Sequence, residues 1–248
     1  MISSIFYTIL YEPFYNGLVL LSGFVPGGDI GLAVITLTII VRLILTPLTH
    51  RQIHTQRKMK LVEGELAGIR KKYETDKQEQ TRQMMELYKK HGINPFSGFL
   101  LIFIQIPILL ALYYVFSRGI PFSSDHLYNF VSLPAITNFK FLGFFDLTAK
   151  NYILAILVGV SQYFQIRLSM PPTPVSTGGD KSFSQELAKS MSTNMRYVMP
   201  VMIAVIAAGF PSVISLYWLT SNLFAIGHEL IVRQKAKSLI SPSLLKPP

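Results

Sequence analysis

Residues 29–49, DIGLAVITLTIIVRLILTPLT, form an apolar run long enough to cross a bilayer, and one arginine, Arg42, lies well inside it. Nothing else in the chain restricts its folding so strongly. A guanidinium keeps its proton in a protein, and holding it at membrane depth costs about 2.5 to 3.5 kcal/mol on insertion scales. A chain with this run must therefore supply a partner, water, or a way out to the surface. No Asp or Glu lies inside the other long apolar runs, so an internal carboxylate is not expected to meet it. Two readings remain open. Arg42 can snorkel, since about seven residues, or roughly 10 Å at 1.5 Å per residue, separate it from the end of the run. Alternatively it occupies a wet polar pocket, which the spacing of Thr38, Arg42 and Thr46 at i, i+4 and i+8 favours by putting hydroxyls on the same helix face.

Composition points to the membrane as well. Half of the 248 residues are hydrophobic and only 15% are charged, where a soluble domain carries about a quarter. A net charge of +10 would suit nucleic acid, yet in a membrane protein the location of charge matters more than its sum, and no pattern for nucleic-acid recognition is present. Cysteine is absent, which excludes disulfides, thiolate metal sites and cysteine nucleophiles. The five histidines are scattered, so neither a metal nor any other cofactor is expected. The first residues lack the basic n-region and cleavage site of a secretory signal, and are expected to remain in the mature chain.

Along the chain, residues 1–28 read as an amphipathic segment lying in the membrane interface, with Phe6, Tyr7, Tyr11, Phe14 and Tyr15 around Glu12 and Pro13. The first span is residues 29–49. Residues 50–92 then hold 11 Lys and Arg against 6 Asp and Glu, and read as two helices with a break at residues 74–77. Excess basic charge places this hairpin in the cytoplasm, either as a merely solvated surface or as a docking surface for lipid, ribosome or partner protein. Its apolar residues are sparse: Ile53, Met59, Leu66 and Ile69, then Met84, Met85, Leu87 and Tyr88. Residues 93–117 make the second span, with Gln105 before Pro107 and a bend expected near Phe103. Residues 118–150 form an outer-face loop with Phe139, Phe141, Phe144 and Phe145 as expected interface anchors.

Residues 151–170 are the third span, where Ser161, Gln162 and Gln165 either line a polar interior or bond to a neighbouring helix. Residues 171–196 read as a Pro/Gly/Ser-rich cytoplasmic loop and a short helix. Residues 197–227 carry no charge and are split by Phe210-Pro211-Ser212, which predicts two short spans, 197–210 and 211–232, before a basic cytoplasmic tail, 233–248. The sum is an all-α integral membrane protein of five transmembrane helices, N-terminus outside and C-terminus in the cytoplasm. An enzyme is not expected: no Walker loop, GxSxG or HExxH is present. A small-solute transporter or channel is the alternative, although no inverted repeat is visible.

Taken in order, VRLILTPLT around Arg42, the basic hairpin, NPFSGFLLIFIQIPILLALYYVF with Gln105 and Pro107, and FPSVISLYWLTSNLF with Tyr217, Trp218, Ser221 and Asn222 resemble the YidC-type membrane protein insertases of bacterial plasma membranes. The form expected is a short one without a large outer-face domain. The resemblance implies five spans around a hydrophilic groove that is closed toward the outside and open to cytoplasm and lipid. It implies that the groove arginine receives nascent membrane proteins, with the ribosome and the Sec translocon as possible partners beside membrane lipids. The groove residues expected are Arg42, Thr38, Thr46, Gln105, Ser161, Gln162, Gln165, Tyr217, Trp218, Ser221 and Asn222.

Overall fold

The computed structural model describes residues 2–94, 97–118, 122–169 and 194–240. An N-terminal rod is made of α1 (Ile2–Phe6), a π-turn (Tyr7–Tyr11) and α2 (Glu12–Phe24). Then come α3 (Ile30–Leu61), α4 (Glu63–Lys72), α5 (Lys77–Lys90) and α6 (Ser97–Arg118). A loop holding the two-residue strands β1 (Lys140–Phe141) and β2 (Phe145–Asp146) leads to α7 (Tyr152–Ser169). A second π-turn (Asn194–Val198) opens α8 (Met199–Gly209), and α9 (Ser212–Ile240) follows.

Helices α3, α7 and α9 all start at the end that carries the 122–150 loop, called here the loop end. Asp29 fixes the start of α3: its Oδ1 accepts from the amides of Gly31 (2.7 Å) and Leu32 (3.2 Å), and its Oδ2 accepts from the amide of Leu142 in the loop (2.8 Å). One buried carboxylate thus caps a helix, as N-terminal acidic residues do, and clasps the loop. Gly28 makes the same junction possible. Its φ is +62°, and a Cβ there would come within 2.2 Å of the Ile136 carbonyl oxygen. The start of α9 is tied down by Ser212, whose amide donates to Ala149 and whose hydroxyl donates to the carbonyl of Asp146.

The main core also sits at the loop end. Ile30, Ala33 and Val34 of α3, Ile108, Ala111, Leu112 and Val115 of α6, and Val213, Ile214, Leu216 and Tyr217 of α9 interlock there with Tyr11, Phe14, Tyr15, Leu18 and Val19 of the rod. Toward the opposite, hairpin end this packing stops. No residue from 39 to 50 of α3 is buried. Exposed apolar side chains cover the lateral faces: Ile39, Ile40, Leu43 and Ile44 on α3, Ile153, Ile156 and Leu157 on α7, Val201, Val205 and Ile206 on α8. Such a continuous apolar exterior marks a surface that meets lipid, and residues 30–50 and 152–169 are long and apolar enough to cross a bilayer.

Several boundaries differ from those read in the sequence. The change from apolar to charged residues at position 50 ends no helix, because α3 runs through Pro47 to Leu61; polarity changes along a helix without altering its backbone bonding. The hairpin proper is therefore α4 and α5. It has a small core of its own, Val62, Leu66, Leu87, Tyr88 and Ile93, and Met85 points outward. Helix α9 likewise continues past residue 232 to Ile240. The rod's buried residues Tyr11, Phe14, Tyr15, Leu18, Val19 and Ser22 form one helical stripe, while Ile5, Ile9, Leu20 and Phe24 are exposed on the other side. Both faces are thus apolar, and the segment is not amphipathic in polarity. Of the four expected anchors in the loop, Phe139 and Phe141 turn inward onto the core and Phe144 is exposed, as Phe130 is as well. The loop and short helix expected at 171–196 lie almost wholly outside the described residues, as does the end of the tail.

Candidate functional site

Immediately beneath the main core, three helices bring polar side chains together. The Arg42 guanidinium of α3 donates from Nη2 to Gln105 Oε1 of α6 at 3.2 Å, and Gln105 Nε2 donates to the Tyr217 hydroxyl of α9 at 2.8 Å. Ser221, buried one turn further along α9, lies beside the same phenol. Tyr217 is at the lower edge of the core, with its ring packed upward and its hydroxyl turned to the cluster. Gln105 is half-buried, as is Arg42.

Among the described residues Arg42 meets no carboxylate. The ion pairs among the described residues are Arg82–Glu79, His91–Glu65 and Arg233–Glu229; none involves it. A guanidinium has five N–H donors, and Gln105 takes one. Among the described residues the guanidinium makes no other hydrogen bond, and α3 has no buried residue from 39 to 50. A half-buried guanidinium bonded only to a neutral amide among the described residues is chemically able to take up a carboxylate.

The other residues expected in this site are placed elsewhere. Thr38 is buried and its hydroxyl donates to the Val34 carbonyl at 2.6 Å; the Thr46 hydroxyl donates to the carbonyl of Arg42 at 2.9 Å. Both satisfy themselves on their own helix, as hydroxyls in apolar surroundings do, and neither hydroxyl is bonded to the guanidinium. Ser161 and Asn222 form a separate, buried pair between α7 and α9: Asn222 Nδ2 donates to Ser161 Oγ at 3.0 Å, and Ser161 donates to the Val158 carbonyl at 2.9 Å. Gln162 and Gln165 bond to each other along α7 at 3.0 Å. Trp218 is half-buried between the main core and the small cluster of Ala155, Val158 and Ala207. Successive residues of a helix point about 100° apart, so Ser221 and Asn222, neighbours in sequence, meet different side chains: Ser221 lies beside Tyr217 of its own helix, whereas Asn222 bonds to Ser161 of α7.

Sequence reading missed several residues that hold this arrangement. Asn16 donates to the carbonyls of Glu12 and His126 and accepts from the amide of Tyr128, while the Tyr15 hydroxyl bonds to both the amide and carbonyl of Ser123. Together they lock the rod to the loop over the closed end. Their signal was faint, because an Asn and a Tyr in an aromatic helix carry no spacing that names a partner. Glu229 is buried, pairs with Arg233 at 2.9 Å, and Arg233 also donates to the Leu168 carbonyl at the end of α7.

A helical bundle with an apolar exterior, and with an arginine inside it that meets no carboxylate among the described residues, is a membrane protein with polar side chains gathered in its interior. Residues 21–239 match the 60Kd inner membrane protein family, and the chain belongs to that family. It is 36% identical over 209 residues to the membrane protein insertase YidC of Oceanobacillus iheyensis, covering 82% of this chain and 74% of the relative. The insertase YidC of Fusobacterium nucleatum is 34% identical over 84% of this chain and 88% of its own length. The insertase MisCA of Bacillus subtilis is 32% identical, over 84% and 71% respectively.

Proposed function

We propose that this chain inserts nascent membrane proteins into the bilayer, using the space below the core as a hydrophilic groove with Arg42 at its head. The observation that carries this reading is the guanidinium held half-buried by a neutral amide, with no carboxylate of the described chain to satisfy it. Five spans fit the element order: α3, α6, α7, α8 and α9, with the loop end outside and the basic hairpin in the cytoplasm. Carrying a polar tail of a substrate across about 30 Å of hydrocarbon is the costly step of insertion. A groove open from the hairpin end shortens that path, and Arg42 draws the tail's carboxylates upward by charge-assisted hydrogen bonds. The substrate's apolar segment then moves sideways past the exposed faces into lipid, releasing on the order of 25 cal/mol per Å² of apolar area.

No chemical bond is made or broken, so the reading needs neither a catalytic residue nor a cofactor. The direct partners are nascent membrane proteins and lipid; the ribosome and the Sec translocon are partners the exposed basic hairpin could meet at the cytoplasmic surface. Photo-crosslinking probes at positions 105 and 217 test the proposal. Both are expected to capture a stalled nascent membrane protein, whereas a probe at the buried Ser161 is not. Equal capture from all three positions would overturn a groove confined to the Arg42 side of α9.

A further inference from the structure

The α7–α8 pair carries a second cationic feature, away from Arg42. The two helices run antiparallel and approach closely at Gly159, where a Cβ would come 2.9 Å from the Ala204 Cβ and 3.1 Å from the Pro200 carbonyl oxygen. One turn further toward the hairpin end the rings of Tyr163 and Tyr197 lie 5.9 Å apart. Continuing this register by one more turn brings Arg167, in the last turn of α7, to the level of the π-turn that holds Arg196, within about 5 Å along the axis. None of the ion pairs among the described residues involves either arginine, and residues 152–169 and 194–209 contain no Asp or Glu. Arg233, at the same end of the molecule, is answered by Glu229. Directly beyond the two tyrosines the surface is apolar and exposed: Val160 and Phe164 on α7, Val198 and Val201 leading into α8.

We propose that Arg167, Arg196, Tyr163 and Tyr197 form a binding site for the headgroup of one anionic phospholipid, with its acyl chains lying along Phe164 and Val198. Guanidiniums grip phosphate oxygens bidentately, phenols add donors at headgroup depth, and basic pockets between helices at a membrane surface are the sites where anionic headgroups settle. The adjoining apolar strip selects a lipid over free phosphate, which has no use for it. This inference does not depend on the insertase reading, because binding is measured directly. Native mass spectrometry of the full chain, delipidated and titrated with phosphatidylglycerol or phosphatidylcholine, tests it. One phosphatidylglycerol is expected to bind at least tenfold more tightly than phosphatidylcholine. R167Q/R196Q is expected to lose that preference, and R167K/R196K to keep part of it at an unchanged melting temperature. Preference retained in R167Q/R196Q would overturn the proposal, and so would displacement of the lipid by millimolar inorganic phosphate.

Discussion

Two polar clusters lean on α9 from different sides, and they are built to different ends. Between α7 and α9, Ser161 and Asn222 are buried and bond to each other and to a backbone carbonyl. Between α3, α6 and α9, Arg42 and Gln105 are half-buried, and among the described residues the guanidinium makes one hydrogen bond, to a neutral amide. The first cluster is closed in both senses, sterically and in hydrogen bonding. The second holds a cation that no carboxylate among the described residues answers. Polarity inside a membrane bundle is therefore not itself the sign of a site; a half-buried cation without a carboxylate partner among the described residues is a better one.

The largest effect that would break this comparison is on Arg42. Arg42→Ala is expected to lower insertion of a substrate with an acidic tail by about tenfold or more, as the loss of a charge-assisted hydrogen bond of roughly 1.5–3 kcal/mol implies, and to spare a matched substrate with a neutral tail. Arg42→Lys should keep part of the activity, because the charge persists without the planar fork. Protease protection of the paired substrates, read beside the melting temperature, decides it. Equal loss for both tails with a large drop in melting temperature would make Arg42 a structural residue and erase the contrast.

On the closed side the expected effects fall on stability. Gly159→Leu forces a side chain against Ala204 and Pro200 and is expected to cost about 1–3 kcal/mol, lowering insertion of both substrates alike as folded protein is lost. Asn222→Ala is milder, about 0.6 kcal/mol and at most about 1.7, the average and maximum for hydrogen bonds between membrane helices. Tyr217→Phe sharpens the comparison: it removes the hydroxyl that accepts from the Gln105 amide and lies beside Ser221, and should reduce the preference for acidic tails while the melting temperature stays within a few degrees. If Asn222→Ala altered tail preference and Tyr217→Phe did not, the two clusters would have exchanged roles.

The smallest effect lies in water, on the hairpin. Hydrogen bonding from Gln83, and then from Arg82, holds the Glu79 carboxyl below its ordinary value of 4.5. A depressed carboxylate contributes stability above its unfolded pKa and loses it as pH falls through the folded one, so α5 should open more readily on acidification below about pH 4.5. Hydrogen exchange of α5 amides at two acidic pH values measures this, with Glu79→Gln as the variant in which the pH dependence is reduced. An unchanged dependence in that variant would assign the opening to another group.

The sequence by itself went far toward the class of the protein. An arginine inside an apolar run, a basic charged segment after it and a long uncharged stretch near the C-terminus dictate a helical membrane protein, because desolvating charge and unpaired backbone is too costly to allow otherwise. The ordered motifs carried the family. Arg42 and Gln105 were visible as polar residues where polarity is expensive. Tertiary structure alone decided which polar residues share a space. Thr38 and Thr46 sit on the face of Arg42 by periodicity, yet their hydroxyls turn back to their own helix; Ser221 and Asn222 are adjacent, yet serve different neighbours. Helical spacing fixes only a direction around one axis. Whether that direction meets a sealed helix face or open space depends on how the loop end is clasped by Asp29, Asn16 and Ser212, and those contacts join residues far apart in the chain.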